Sequence, residues 1–166
     1  MPFAFRQAAF FNLYFTMPKK IQTRTEDQML TCLRNAVLNA QAHQKAGDPT
    51  RVYSQYIRYA LNQFDKQEGI TLTSRKAKGK VRPFIVHDHS VPHSFVLNKL
   101  LALKNVTNLA LKDVISKYYR IGVITKEEDK LLSDNGLRSK MPNGWDENNG
   151  SVYARYEEVG IKLLHS

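Results

Sequence analysis

The amino-acid sequence predicts an α+β fold, in which an N-terminal helical hairpin precedes a small unit of strands with inserted helices. Three observations favour this class. Apolar residues recur at helical spacing up to residue 68, and short β-prone runs begin after Gly69. The length of 166 residues, with 42% hydrophobic and 24% charged residues, is typical of one globular domain. This composition excludes disordered, repetitive and polytopic membrane proteins.

A helical hairpin is predicted over residues 25–69. Its first helix follows Thr25, which matches a capping box with Gln28 and precedes apolar residues at helical spacing. In the connection Gly47-Asp48-Pro49, we expect the glycine to stop this helix and the aspartate to cap the next one. The second helix carries three tyrosines, whose ordinary helical spacing favours core and interface positions over a base-stacking platform: Tyr53, Tyr56 and Tyr59.

A β-hairpin with a cationic tip is predicted next. Two short β-prone runs, residues 70–73 and 81–86, flank a basic stretch that contains a glycine. Pro83 cannot donate a hydrogen bond to a neighbouring strand. We therefore expect the second run at a sheet edge, or irregular at that point.

Three helices and one further strand are predicted after this hairpin. Ser94 is expected to cap the first helix, and the second begins at Thr107. A short strand over residues 120–124 then leads to Thr125-Lys126-Glu127-Glu128, a capping-box pattern that opens the third helix.

The two ends of the chain are interpreted as a tail and an arm. Residues 141–166 are loop-like and end in a weak helix, and three side chains are expected to hold this tail to the domain: Trp145, Arg155 and Tyr156. Residues 1–24 are rich in aromatic side chains but match neither a secretory signal nor a membrane span. We interpret them as an arm packed on the domain, or as a stretch upstream of a true start at Met17.

The charge balance points to a polyanionic partner. Twenty-five Lys and Arg against 15 Asp and Glu give a net charge of +10, and nucleic acid, with DNA favoured, is the predicted partner. No membrane partner is expected, and a homodimer or a protein partner is left open. The single cysteine, Cys32, excludes an internal disulfide framework and a cysteine-based zinc site, so the chain is predicted to be cytoplasmic.

Functional side chains are densest in residues 87–93, which hold three of the five histidines. Strand alternation predicts that His87 and His89 lie on one face and Asp88 on the other. A histidine beside a carboxylate can hold a metal ion or act as a general base. The alternative is a polar strand end whose histidines only form hydrogen bonds.

A second carboxylate of interest is Asp129, in the helix that follows Thr125. It precedes Leu132 by three residues, so we expect it on the inward side of the helix. An inward carboxylate needs a partner, and a metal ion shared with Asp88 would supply one. The alternative is an acidic residue in the first turn, which the helix dipole favours.

These segments resemble the HNH (ββα-metal) endonucleases over about residues 70–136. Asp88-His89-Ser90-Val91-Pro92 is similar to the Asp-His-x-x-Pro segment of that family, and residues 124–132 resemble the helix opening that carries its last metal ligand. The resemblance implies a ββα-metal-like catalytic unit with a helical insert, predicted here over residues 70–140.

The resemblance also implies roles for three residues. Asp88 would be a metal ligand, His89 the general base that takes a proton from the attacking water, and Asp129 a second ligand. Two carboxylates suit Mg²⁺ or Mn²⁺. The implied activity is metal-dependent hydrolysis of phosphodiester bonds in DNA, with RNA as the less favoured substrate.

Basic residues along the same stretch are predicted to hold phosphates. Five of them lie within eight positions that contain no acidic residue, and two more follow the third helix: Arg75, Lys76, Lys78, Lys80, Arg82, Arg138 and Lys140. Two other classes of function stay open. One is a non-catalytic basic nucleic-acid-binding protein, and the other is a small phage-type or plasmid-type interaction protein that docks on an acidic partner.

Overall fold

The computed structural model describes residues 24–164, so the predicted arm and the alternative start at Met17 lie outside the described residues, apart from Arg24. The helices are α1 (Glu26–Lys45), α2 (Thr50–Leu61), α3 (His93–Leu101), α4 (Asn108–Tyr118), α5 (Lys126–Asp134) and α6 (Ala154–Glu158). The strands are β1 (Thr71–Ser74), β2 (Ile85–His89), β3 (Ile121–Thr125) and β4 (Leu163–Leu164), and a short 3₁₀ helix spans Asn62–Phe64. The predicted α+β class is confirmed.

Helices α1 and α2 form the predicted helical hairpin. The capping box at Thr25 is present, since its side chain accepts from the Gln28 amide and the Gln28 side chain accepts from the Thr25 amide. Gly47 ends the turn with a φ of 81°, a conformation that favours glycine. The prediction that Asp48 caps α2 is wrong, because Pro49 occupies that position and the Asp48 carboxylate lies 2.7 Å from Nδ1 of His43.

The strands form one mixed sheet in the order β2-β3-β1-β4. Strand β1 runs parallel to β3, whereas β2 runs antiparallel to β3 and β4 antiparallel to β1. The predicted hairpin between the first two strands is therefore wrong, because β3 lies between them. All five residues of β3 are buried, as expected for a central strand, and the exposed segment 81–84 with its proline does not extend β2 back toward β1.

The two faces of the sheet pack against different layers. Ile121 faces the larger apolar cluster, which is built from α1, α2, α3 and α4. Ile124 faces a smaller cluster on the other side, formed with Leu132, Leu137, Tyr156 and Ile161. The helical hairpin thus shares its core with α3 and α4, and the C-terminal segment covers the opposite face.

The tyrosines of α2 divide into a buried and an exposed group. Tyr53 is buried in the larger cluster, as predicted. Tyr56 and Tyr59 are 59% and 69% exposed, so the prediction of core positions is wrong for these two. They project from the solvent side of an amphipathic helix whose inward side is already filled by Ile57 and Leu61.

The later elements begin close to their predicted positions. Helix α3 starts at His93 after Pro92, so Ser94 is not its cap. The Thr107 hydroxyl accepts from the Ala110 amide at the start of α4, as predicted. The capping box at Thr125 is also confirmed.

The C-terminal tail packs on the domain through α6 and β4. Arg155 and Tyr156 are fully buried, as predicted, and β4 adds an edge strand to β1. Trp145 makes an edge-on contact with Phe95 of α3. Within residues 24–164, no helix combines the length and the apolar character needed to cross a membrane.

Candidate nucleic-acid interface

The basic loop, defined as residues 75–84, connects β1 to β2 and carries an exposed set of cations: Arg75, Lys76, Lys78, Lys80 and Arg82. Its first half is a hydrogen-bonded turn around Ala77, whose amide donates to the backbone oxygen and to Oγ of Ser74, both at 3.1 Å. The Lys80 amide then donates to Ala77 at 2.9 Å. Ala77 itself is buried, so the cations lie on a turn that packs against the domain.

A buried carboxylate anchors this turn to α5. Glu128 is 4% exposed, and its Oε2 accepts hydrogen bonds from Ser74 Oγ at 2.6 Å and from the Thr125 amide at 2.9 Å. One side chain therefore closes the α5 capping box and holds the end of β1. The fully buried carboxylate of α5 is thus Glu128, whereas the predicted inward residue, Asp129, is partly buried.

Two further lysines border the basic loop. The Lys126 amide donates to the Phe84 carbonyl at 3.2 Å, and the Arg75 amide donates to the Lys162 carbonyl at 3.0 Å. Both lysines are exposed. We call the basic loop together with Lys126 and Lys162 the basic surface. Phe84 lies in it with 63% of its surface exposed.

The pKa of one acidic residue, Glu127, is affected by the positive charges of this surface. Hydrogen bonds from its own backbone and from Thr125 hold the pKa of Glu127 below its usual value, and the charges of Lys80 and Lys126 lower it further. Lys80 therefore lies near the first turn of α5, which begins at Lys126. The lysines come from different segments, and tertiary structure brings them together.

The other two predicted basic residues, Arg138 and Lys140, are exposed but lie near the other end of β2. The Arg138 carbonyl accepts from Arg155, which also donates to the carbonyl of His89. Strand β2 separates this end from the basic loop by about 13 Å at 3.3 Å per residue. These two cations are therefore outside the basic surface.

Asp88 is held by the C-terminal segment. Its Oδ2 accepts from Nη1 of Arg155 at 3.1 Å and from the Tyr156 hydroxyl at 2.9 Å. Arg155 is only 1% exposed and also donates to the carbonyls of Leu137, His89 and Arg138. The carboxylate thus belongs to a buried hydrogen-bond network that docks α6 on the sheet.

The charge state of Asp88 reflects competing effects. Burial raises the pKa of Asp88, and the Arg155 charge and the Tyr156 hydroxyl lower it. The negative charge of Asp129 raises it again, so Asp129 lies within electrostatic range.

His89 lies on the opposite face of the sheet, as strand alternation predicts. Its ring packs against His93 and Tyr119, with ring centres 5.5 and 5.6 Å away. Burial lowers the pKa of His89 to about 4, and the nearby charges of His93, Arg58 and Arg155 act in the same direction. An imidazole with this pKa is a weak general base at neutral pH.

The hairpin of β1 and β2, which the family resemblance placed before the helix, is not formed because β3 lies between these strands. Strands β2 and β3 are antiparallel, and α5 follows β3 directly. In the chain, α3 and α4 stand between β2 and β3. The Asp-His segment stands at the end of the first of these two strands.

The donor set in this arrangement does not fit a divalent ion shared by Asp88 and Asp129. A buried guanidinium and a tyrosine hydroxyl already bind the Asp88 carboxylate, and His89 faces away from it. Across residues 24–164, no three His, Cys, Asp or Glu side chains converge in a way that could hold a metal. The bonds from Arg155 and Tyr156 both go to Oδ2 of Asp88, whose positive partner is Arg155.

Several contributors to the interface were not predicted as site residues from the sequence. Lys126 and Lys162 join the basic surface only because α5 and β4 pack beside β1 and β2. The capping-box pattern identified Glu128 as a helix-start residue, but its bond to Ser74 depends on the strand order. Searches of protein-family models, curated proteins and solved structures each found no match to this chain.

Proposed function

We propose that this chain is a nucleic-acid-binding protein that holds the phosphates of DNA on its basic surface. The observation that carries the proposal is the anchored basic loop, which carries five exposed cations and whose first half is held by the Ser74–Glu128 hydrogen bond. Phosphate contacts by Lys and Arg supply most of the affinity in sequence-independent binding of DNA.

The close spacing of these cations favours the binding of a polyanion over the binding of separate small counter-ions. Repulsion between neighbouring like charges destabilises a folded protein, and a line of phosphates relieves it. Because the turn is already ordered before binding, the loop and its side chains lose less conformational entropy on association. The exposed Phe84 ring, set among the cations, is suited to an apolar or stacking contact with a sugar or a base.

Metal-dependent cleavage is the second candidate, and it stays a prediction from the family resemblance. One observation favours it, since Asp129 lies near enough to Asp88 to raise the pKa of Asp88. The bonds that Arg155 and Tyr156 make to Asp88 argue against a shared ion in this arrangement. The proposal therefore rests on binding, and no reaction step is assigned to these residues.

The test replaces Lys76, Lys78 and Lys80 together by Ala and measures the affinity for a short labelled duplex by fluorescence anisotropy. Between about 50 and 200 mM salt, we expect weaker binding and a log–log salt slope lower by up to about 0.9 per lost phosphate contact. All three lysines are exposed, so the fold should be retained.

The matched control removes equal charge from the helical side of the molecule, by changing Lys45, Lys104 and Lys112 to Ala. These lysines are also exposed, and the salt slope of this variant should stay close to that of the unchanged protein. Equal losses in both variants would overturn the role of the basic loop. Absence of DNA binding at physiological salt would overturn the function and favour the acidic-protein partner instead.

A further inference from the structure

A large open groove lies beside the exposed tyrosines of α2. It has a volume of about 1330 Å³ and is bounded by α1, α2, the 3₁₀ helix and one residue from each of two strands, Thr71 of β1 and His87 of β2. Tyr56 and Tyr59 both line it. They are three residues apart on one helix and therefore lie on neighbouring turns of the same helix face. We call this feature the tyrosine groove.

The wall of the tyrosine groove combines apolar, amide and charged side chains. Apolar side chains such as Met29 and Ala36 form part of the wall. Five amide side chains also line it, of which Gln63 already accepts from Arg24 and donates to Ala60: Asn35, Asn39, Asn62, Gln63 and Gln67. Arg24 and Lys66 supply positive charge. Asp65 is the acidic residue among the lining residues, and its Oδ1 already accepts a hydrogen bond from Tyr119 at 2.6 Å.

These features match an unpaired stretch of nucleic acid. Exposed aromatic rings stack on bases, and this stacking works with every base because each has a π-face. Asn and Gln side chains can donate to and accept from the edges of bases. A surplus of cations over free carboxylates favours a negatively charged occupant. The volume also exceeds the roughly 300–1,000 Å³ of typical small-molecule pockets.

His87 connects the tyrosine groove to the basic surface. It lines the groove, and it also lines a second depression together with Arg82 and Lys126. A strand that leaves the groove past His87 would therefore meet two cations of the basic surface. This continuity supplies phosphate contacts on the path out of the groove.

We propose that the tyrosine groove binds unpaired nucleotides of single-stranded DNA, with bases stacked on Tyr56 and Tyr59 and the backbone continuing over His87 to Arg82. This inference rests on the proposed function, which it deepens by naming the form of the ligand. The basic surface holds phosphates of either form of DNA, and the groove takes bases that only a single strand exposes.

The experiment compares a labelled oligothymidine strand with a short labelled duplex by fluorescence anisotropy at one salt concentration. The variant Tyr56→Ala/Tyr59→Ala should lose about 10-fold or more in affinity for the single strand and change little for the duplex. The variant Tyr56→Phe/Tyr59→Phe keeps both rings and should retain single-strand binding. Leu109→Ala removes a highly exposed apolar side chain from α4 and serves as the matched control.

The outcomes separate the inference from the function on which it rests. If duplex and single strand both bind and the alanine pair changes neither affinity, the groove proposal is overturned and the basic surface stands. Equal losses for both probes would also overturn it, because the groove would then not distinguish unpaired bases. If neither probe binds, the proposed function itself fails.

Discussion

Arg155 and Asp88 lie 67 residues apart in the chain and form an ion pair, with Nη1 of Arg155 3.1 Å from Oδ2 of Asp88. The guanidinium is almost fully buried and satisfies three backbone carbonyls as well. This pair joins the strand with the Asp-His segment to the C-terminal helix. Asp88 is thus a structural anchor in the arrangement described.

The first prediction concerns this anchor. Arg155→Ala should lower the free energy of unfolding by about 3–5 kcal/mol, because it leaves a buried carboxylate and several carbonyls without their partner. Denaturant unfolding measures the change. Arg138→Ala, at an exposed site nearby, should stay within about 0.5 kcal/mol. A loss below about 1 kcal/mol in Arg155→Ala would contradict the structural role.

The second prediction concerns the close approach of Gly122 to Tyr156. A Cβ atom at Gly122 would lie 2.6 Å from the Tyr156 hydroxyl oxygen and 2.8 Å from Cζ. Gly122→Ala should therefore cost about 1–3 kcal/mol of stability, as overpacking does in well-filled cores. In a Tyr156→Phe background the same change should cost less, because the nearest atom is gone. If the stability costs of the two changes simply add in the double variant, the close contact between Gly122 and Tyr156 is contradicted.

The third prediction links Glu128 to DNA binding. Glu128→Ala removes the acceptor for Ser74 and Thr125, and should destabilise the fold by about 1–3 kcal/mol and weaken DNA binding by loosening the basic loop. The neighbouring Glu127→Gln should have the opposite effect on binding, since it removes an exposed negative charge beside Lys80 and Lys126. Equal affinities in the two variants, measured by anisotropy, would disprove this link.

The fourth prediction is a loss of stability in acid. Burial lowers the pKa of His89 and of His93 to about 4, below their ordinary value near 6.5. Between these values the unfolded chain binds more protons than the folded chain, so stability is complete above about pH 6.5 and falls as the pH drops toward 4. Denaturant midpoints across this range measure the slope.

A histidine variant isolates this effect from other titrations. Burial raises the pKa of Asp65 and of Asp88, which acts against the histidines because the folded state then retains protons more strongly. His93→Gln should flatten the slope between about pH 6.5 and 4 relative to the unchanged protein. An unchanged slope in this variant would show that burial does not lower the pKa of His93.

The fifth prediction addresses cleavage. Because His89 has a low pKa and Asp88 is paired with Arg155, we expect the purified protein to bind supercoiled plasmid without nicking it in Mg²⁺ or Mn²⁺. Gel electrophoresis of the plasmid gives the result directly. Nicking that depends on the metal and is lost in His89→Ala and Asp129→Ala would instead support the endonuclease resemblance.

The sequence by itself determined the local elements of this protein. Thr25 and Thr125 each stand three residues before a Gln or Glu, and this spacing alone fixes where α1 and α5 begin. Helical periodicity likewise located α2 and α4. The exposure of the cationic residues 75–80 was also predicted, because a run of cations without a regular apolar period has no face to bury, whereas residues 81–84 were predicted as strand and belong to the loop.

Only the tertiary structure decided which segments meet. Strand β3 entered between β1 and β2 because its fully buried residues require hydrogen-bonded partners on both sides, and local propensity carries no information about such pairing. Asp88 forms its ion pair with Arg155 rather than with a metal ion. Tyr56 and Tyr59 are exposed because the core packs against the other face of α2. These outcomes depend on contacts between residues that are distant in the chain. Such contacts contribute free energy only when the sheet and the helices that cover it have assembled.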